Sequence, residues 1–422
     1  MAGFLGTRIF FEKGFDFTKR VTFRSPKTIV MSDTKQITRQ KFLQQCSVIG
    51  AGVVFSPLVS GASPLTSQRK IKVAIIGCGS VSGSYLPHLS KSPFVELVSV
   101  CDIKPERAAK RAKEFNVPNQ YPHIDKLLAG APFELMLNLT NMQEHGRLNR
   151  IAILAGKHVW SEKPMANTYK EGKELYDLAK SKGTRIWGAP AVVNSPQFAF
   201  MSQAIQEGKL GNVSAAHAHY GHLGPTWSAF FYEKGGGSMP DLGVYNIASL
   251  TGLLGPAKSV IAMTSIVTPE RTVDDKGTIK VEAEDNAMIT MEHSNGILSH
   301  VQCGFNYFDP YGHEGKGQDR PTISIWGTKG NMALVGYDWA PFGVDLAVSY
   351  TEKPVRYVED PGDYVWQQGA SVIAECLSTG KEPRINAEHA LHVLEIIEAA
   401  RASQDTGKRI SLQSKFPWPI VK

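Results

Sequence analysis

The chain has 422 residues, 42% hydrophobic and 20% charged, a length and balance that suit a globular protein of two domains once a leader is set aside. Its formal charge of +7 points to a polyanion partner, yet nine of the 46 Lys/Arg and only three of the 39 Asp/Glu fall within residues 1–45. The rest is close to neutral, which excludes nucleic acid as the expected partner.

From Met31, read as the start, a basic stretch (Lys35, Arg39, Lys41) precedes an apolar, Gly-rich run from Cys46 to Val59 and the small residues Ser60-Gly61-Ala62. That is the layout of a secretory signal, too short and too rich in Gly and Ser for a membrane span, so no stable membrane anchor is expected. "TRQKFLQ" resembles the twin-arginine export motif with Gln40 in place of the second arginine. The expected location is the periplasm, or the cytoplasm if the leader does not function; an uncleaved tail is the alternative. Cys78, Cys101, Cys303 and Cys376 are scattered without metal spacing and read as buried thiols.

In chain order, "KIKVAIIGCGS" is a β-rich run broken by glycines, followed by a short helix containing Pro87. "FVELVSVCD" (94–102), "ELMLNLT" (134–140), "HVWSE" (158–162) and "TRIWGAP" are further strands, separated by helical stretches such as "KPERAAKRAKEFN" and "YKEGKELYDLAKSKG". Strands alternating with helices predict a doubly wound parallel sheet. Beyond Ala189, stretches such as "VSAAHAHYGH" and "NAMITMEHSNGILSHVQCGF" alternate like antiparallel strands, with turns at Asn295-Gly296 and Lys329-Gly330. Residues 387–403 have apolar residues at helical spacing and are expected to pack back on the body. The expected division is a leader and linker (1–66), a dinucleotide-binding domain (67–188) and a substrate-binding and oligomerisation domain (189–422). The fold class is α/β, a Rossmann sheet plus a large, mainly antiparallel open sheet.

The chemistry begins at Gly77-x-Gly79-x-x-Ser82. Gly77 permits a tight turn, Gly79 lets backbone approach a pyrophosphate, and Ser80, Val81 and Ser82 open a helix whose N–H groups face it. Asp102 ends the next strand, 23 residues after Gly79, the interval of an acid that grips ribose hydroxyls. It favours NAD, while Lys104 and Arg107 keep NADP as an alternative. In "GKHVWSEKPMA", Lys163 lies past a strand end between Glu162 and Pro164, at the edge where open α/β sheets bind ligands.

Together with "TNMQEH" (140–145) and "GGGSMPDLG", these motifs resemble the glucose–fructose oxidoreductase, inositol dehydrogenase and rhizopine catabolism (Gfo/Idh/MocA) family over residues 70–410. The resemblance implies a Rossmann domain, a second domain whose open sheet often forms the oligomer interface (a homodimer or homotetramer), a nicotinamide cofactor and a sugar or polyol substrate. It makes Lys163 the motif lysine and Asp241 the motif aspartate, with Thr140, Asn141, His145 and Glu162 near the cofactor; Asn141 stands where the family usually has proline. Tyr245 occupies the position of the family's frequent catalytic histidine, as in the glucose–fructose oxidoreductase and dihydrodiol dehydrogenase branches.

Hydride transfer from a secondary hydroxyl requires a proton to leave its oxygen. A tyrosine titrates near 10, and a neighbouring lysine ammonium would lower that value; Lys163 and Tyr245 are therefore expected as a dyad, with Asp241 orienting the lysine or the substrate. A core aromatic is the alternative for Tyr245. Gly235, Gly236 and Gly237 suggest close backbone approach to a bound sugar or nicotinamide, and Tyr220, His222, Trp227 and Tyr232 are candidates for a sugar platform. His217 and His219 are too isolated for a metal site, and no metal is expected. The leading reading is a sugar or glycoside dehydrogenase; the alternatives are a redox-neutral enzyme that retains its nucleotide and a non-enzymatic sugar sensor.

Overall fold

The computed structural model describes residues 69–309 and 319–422; the expected export signal, with Cys46, lies outside them. Six parallel strands come first: β1 Ile71–Ile76, β2 Val95–Cys101, β3 Asn119–Tyr121, β4 Leu135–Asn138, β5 His158–Ser161 and β6 Ile186–Gly188, in spatial order β3-β2-β1-β4-β5-β6. Helices α1 Ser82–Leu89, α2 Pro105–Phe115, α3 Ile124–Ala129, α4 His145–Leu154 and α5 Tyr169–Ser181 connect them. Every residue of β1 except Lys72 is buried, as a parallel sheet covered on both faces requires. Local chemistry sets the helix ends: Pro105 opens α2 and left-handed Asn116 closes it, while Thr168 caps α5 by accepting the Glu171 N–H. The strand order reverses between β1 and β4, which opens the crevice where sheets of this kind bind ligands.

Helix α6, Pro196–Gln206, is opened by Ser195, whose Oγ accepts the Phe198 N–H at 3.1 Å. Next come β7 Val213–Gly221 and a π-helical turn, Met239–Gly243, which runs directly into α7, Val244–Leu254. The remaining strands are β8 Ala257–Ser265, β9 Glu270–Val273, β10 Gly277–Lys280, β11 Asn286–His293, β12 Leu298–Gly304, β13 Pro321–Gly327, β14 Asn331–Tyr337, β15 Ala340–Ala347 and β16 Val355–Tyr357. After α8, Gly369–Thr379, and α9, Ala387–Thr406, the short β17 Ile410–Ser411 ends the order. Apart from the β9–β10 hairpin these strands form one sheet, β16-β15-β14-β13-β7-β12-β11-β8-β17. Neighbours are antiparallel except β7 and β12, where His217 lies beside His300.

Alternation along β7 buries Ala216, Ala218 and Tyr220 and leaves His217 and His219 partly exposed. The buried face is covered by α7 and α9. The Ala262 N–H donates to Ser403 Oγ and the Ala257 N–H to His392 Nε2, each at 3.0 Å. Helix α9 runs one turn beyond the expected 387–403 because nothing breaks it before Gly407, whose left-handed conformation ends it. Cys78, Cys101, Cys303 and Cys376 are buried free thiols. Among the described residues, no helix is long and apolar enough to cross a membrane.

Candidate active site

The glycine loop after β1 is shaped by what each glycine touches. Gly77 has φ +94°, and a Cβ there would sit 2.5 Å from the Leu139 carbonyl at the end of β4. Gly79 instead faces open space, its nearest neighbour being Arg107 Nη1 at 3.8 Å from a Cβ. Ser82, in the place of a third glycine, is buried and donates from Oγ to the Gly79 carbonyl at 2.7 Å, while Arg111 Nε donates to it at 3.0 Å. No side chain caps α1, so its first N–H groups, around Ser80, Val81 and Ser82, are left for an anion. Asp102 is held at the end of β2, accepting the Cys78 N–H on Oδ2 and the Lys104 N–H on Oδ1, both at 2.8 Å. Each oxygen retains a lone pair for a ribose hydroxyl. Ile103, passed over in the sequence, is 74% exposed beside it. Open backbone at Gly79, an uncapped helix and a fixed acid fit a dinucleotide.

Beyond β4 the chain turns through Thr140, whose hydroxyl donates to Asn138 Oδ1 at 2.7 Å, and the exposed Asn141. His145 corrects an expectation. It is 1% exposed, with Nδ1 2.7 Å from the Pro164 carbonyl and Nε2 3.0 Å from that of Thr140. Both nitrogens face main-chain carbonyls, of which a neutral imidazole donates to one, so the ring is packed between the Thr140 and Pro164 segments and not held open to the crevice. Burial holds it below the usual imidazole value. Glu162 also works from behind. It accepts the Tyr85 hydroxyl at 2.6 Å on one oxygen and the Lys163 N–H at 3.1 Å on the other, and Trp160 Nε1 donates to Tyr85 at 3.1 Å. Tyr85 and Trp160 carried no signal in the sequence, where an aromatic in a helix or strand reads as core.

Lys163 and Asp241, 78 residues apart, meet where this support ends. The π-helical turn brings Asp241 Oδ1 to 2.6 Å from Lys163 Nζ and its main-chain carbonyl to 2.9 Å; π turns inside helices are frequent at functional sites. An ammonium has three N–H groups, so one is left after these two bonds. Tyr245, one turn on, is 8% exposed, with Lys163 Nζ 5.2 Å from its ring centroid. The lysine thus lies over the ring and is neutralised by Asp241. Burial, followed by Glu162, Tyr220 and Asp241, pushes the Tyr245 phenol well above its ordinary value, opposite to the lowering expected of a Lys–Tyr dyad.

Of the platform candidates, Tyr220 packs edge-on against Tyr245 with centroids 6.2 Å apart. His222 lies next to Tyr220 and accepts the Gly224 N–H on Nδ1 at 2.8 Å. Trp227 is 46% exposed, its ring T-shaped against Phe231. Tyr232 does not line an open surface as expected: it is 1% exposed, donates to the Pro225 carbonyl at 2.7 Å and lies beneath the Arg271 guanidinium. The glycine run is also corrected. A Cβ on Gly236 would lie 2.5 Å from the Phe230 and Phe231 carbonyl oxygens, and one on Gly237, at φ +112°, 2.2 Å from Glu284 Oε1. The close approach these glycines allow is to the protein's own chain. Gly235 is exposed beside Gln143, which donates to the Phe230 carbonyl at 2.9 Å.

Two family models match the chain: an oxidoreductase family with an NAD-binding Rossmann fold over residues 71–189, and the GFO/IDH/MocA C-terminal domain over residues 198–333. The mouse trans-1,2-dihydrobenzene-1,2-diol dehydrogenase is 25% identical, over 78% of this chain and 96% of its own length. The WlbA dehydrogenase of Bordetella pertussis, solved with NADH and UDP-GlcNAcA, superimposes with a TM-score of 0.66 at 22% identity, covering 82% of this chain and 99% of that one. The aldose-aldose oxidoreductase of Caulobacter crescentus, solved with glycerol, gives 0.70 at 20% identity, covering 82% and 100%. One model falls on the parallel sheet and the other on the larger sheet, together over more than half the chain, and the protein belongs to the Gfo/Idh/MocA family of NAD-binding oxidoreductases.

Proposed function

We propose that the protein is an NAD-dependent dehydrogenase acting on a secondary hydroxyl of a sugar or glycoside. The observation that carries this reading is the Lys163 ammonium, fixed twice by Asp241 with one N–H left over, beside a buried tyrosine. The glycine loop and the start of α1 would hold the pyrophosphate and Asp102 the adenosine ribose, where its charge disfavours a 2′-phosphate. When bound, NAD supplies the hydride acceptor. The remaining Lys163 N–H donates to the substrate oxygen and stabilises the negative charge that develops there. Tyr245 exchanges the proton with that oxygen: the phenolate takes it during oxidation, and the phenol returns it during reduction. Asn141, Tyr220, His222 and Trp227 are assigned to contacts around the substrate and nicotinamide.

A nucleotide-retaining, redox-neutral cycle is the second reading, favoured by the export-like leader, since free NAD is scarce outside the cytoplasm. Self-association over the outer face of the nine-stranded sheet belongs with either reading, supported by the exposed Met263, Met288 and Leu298 on neighbouring strands.

The test is the absorbance of reduced nicotinamide over a panel of sugars and glycosides, with and without added NAD. Because the phenol lies above its ordinary value and must be deprotonated to accept a proton, oxidation should rise with pH through the alkaline range and reduction should fall. Tyr245→Phe should lower turnover about 10²–10⁴-fold with NAD affinity unchanged. Turnover within twofold of wild type in that variant removes Tyr245 from the proposal. A single burst equal to the bound nucleotide selects the redox-neutral reading.

A further inference from the structure

Two-residue turns between strands normally face water. The turn joining β14 to β15, Asp338-Trp339, points inward: Asp338 is 3% exposed. Its Oδ2 accepts hydrogen bonds from Asn246 Nδ2 and Ser249 Oγ, both at 3.0 Å. Those residues are three apart on α7 and so share one face of it, and Asn246 directly follows Tyr245. Burial pushes the carboxyl up to about 6, so the fold holds an acid where an apolar residue would be easier to bury.

The same turn reaches Tyr245 by a second route. The rings flanking Asp338, Tyr337 and Trp339, stack 5.3 Å apart at 6°. Tyr220 lies 4.7 Å from Tyr337 and 6.2 Å from Trp339, and its far side meets the Tyr245 ring edge-on at 71°. One turn therefore grips the helix that carries Tyr245 through hydrogen bonds and the neighbour of its ring through aromatic packing, closing a loop of contacts around the tyrosine.

We propose that Asp338 is a positioning residue for Tyr245, its carboxylate locking Asn246 and Ser249 so that the phenol keeps a fixed place beside Lys163. The proposal rests on Tyr245 as the proton-transfer group. Misplacement of a reacting group by about 1 Å can cost about 10²-fold in rate. Asp338→Ala is expected to lower kcat about 10–100-fold, with KM and NAD affinity little changed. Asp338→Asn, whose amide oxygen can accept the same two hydrogen bonds, is expected to recover most of that loss. A second readout needs no turnover. With tyrosines labelled at Cζ, the resonance missing from Tyr245→Phe is that of Tyr245, and it should shift in Asp338→Ala but stay in place in Asp338→Asn. If Asp338→Ala does not fold, Asn246→Ala combined with Ser249→Ala removes the same bonds from the helix side and should give the same pattern. An unmoved resonance in the bond-deleting variants, or an Asn variant as perturbed as the Ala variant, overturns the proposal. A wild-type protein that turns over no sugar but shows the resonance pattern keeps the positioning role and removes the dehydrogenase reading.

Discussion

Two glycine segments, 77–79 and 235–237, read alike in the sequence, as chain drawn close to a ligand. In the structure they divide. Gly77 is pressed against the Leu139 backbone so that Gly79, two residues on, can be left open at the mouth of the crevice. Gly236 and Gly237 are closed in by the Phe230 and Phe231 carbonyls and by Glu284, and Arg401 donates to the Gly236 carbonyl at 2.7 Å. The first segment spends its conformational freedom on a space for something else. The second spends it on packing that delivers Asp241, four residues later, to Lys163. A glycine is required wherever backbone comes close, and only the neighbouring atoms reveal whether the other party is ligand or protein.

Alanine substitutions separate the two cases. Gly236→Ala carries the largest expected effect, since its methyl meets two main-chain oxygens that no rotamer change can move. It should destabilise folding by about 3 kcal/mol or more, read by urea unfolding, while the folded fraction binds NAD normally. Gly79→Ala should do the reverse. With 3.8 Å to the nearest atom, stability should stay within about 0.5 kcal/mol of wild type. NAD affinity, measured by titration calorimetry, should fall about 10–100-fold as the methyl enters the path of the pyrophosphate. Weakened NAD binding in the Gly236 variant, or none in the Gly79 variant, would erase the distinction.

Apart from the polar, three-residue edge strand β3, which the sequence reading passed over, the parallel half was legible because its strands are short apolar runs and the ligand-side residues follow at fixed intervals: Gly77, Gly79, Asp102 and Lys163 all fall at strand ends. The second sheet was legible as alternation, though not in its order, since β7 pairs with β12 and β13 across long stretches of chain. Residue type alone misled at His145 and Tyr232, whose side chains are buried against carbonyls that no spacing rule brings near. The inward turn at Asp338 was invisible for the same reason: its partners, Asn246 and Ser249, lie 92 and 89 residues away. The sense of the Tyr245 shift was misjudged because the sequence could place Lys163 nearby but could not show how deeply the ring is buried, or that Glu162 and Tyr220 as well as Asp241 lie around it.

Each glycine segment also has its acid, and these sharpen the contrast most finely. Asp102 ties the Cys78 N–H and faces the crevice, whereas Glu284 sits inside the fold, 3.3 Å from the Met239 N–H and 3.5 Å from Arg401 Nη2. Burial raises the Glu284 carboxyl above its usual value even against the pull of Arg401. A raised folded value means that folding favours the protonated acid, so its contribution is complete below the unfolded value of about 4.3. That contribution is lost as pH rises through the folded value. Glu284→Gln lacks this slope: stability relative to wild type should improve between pH 4 and pH 7, by under about 1 kcal/mol, with NAD affinity untouched at both. A relative stability that instead declines over that interval would mean that the Arg401 pairing outweighs burial. The second glycine segment would then be held by charge and not by packing.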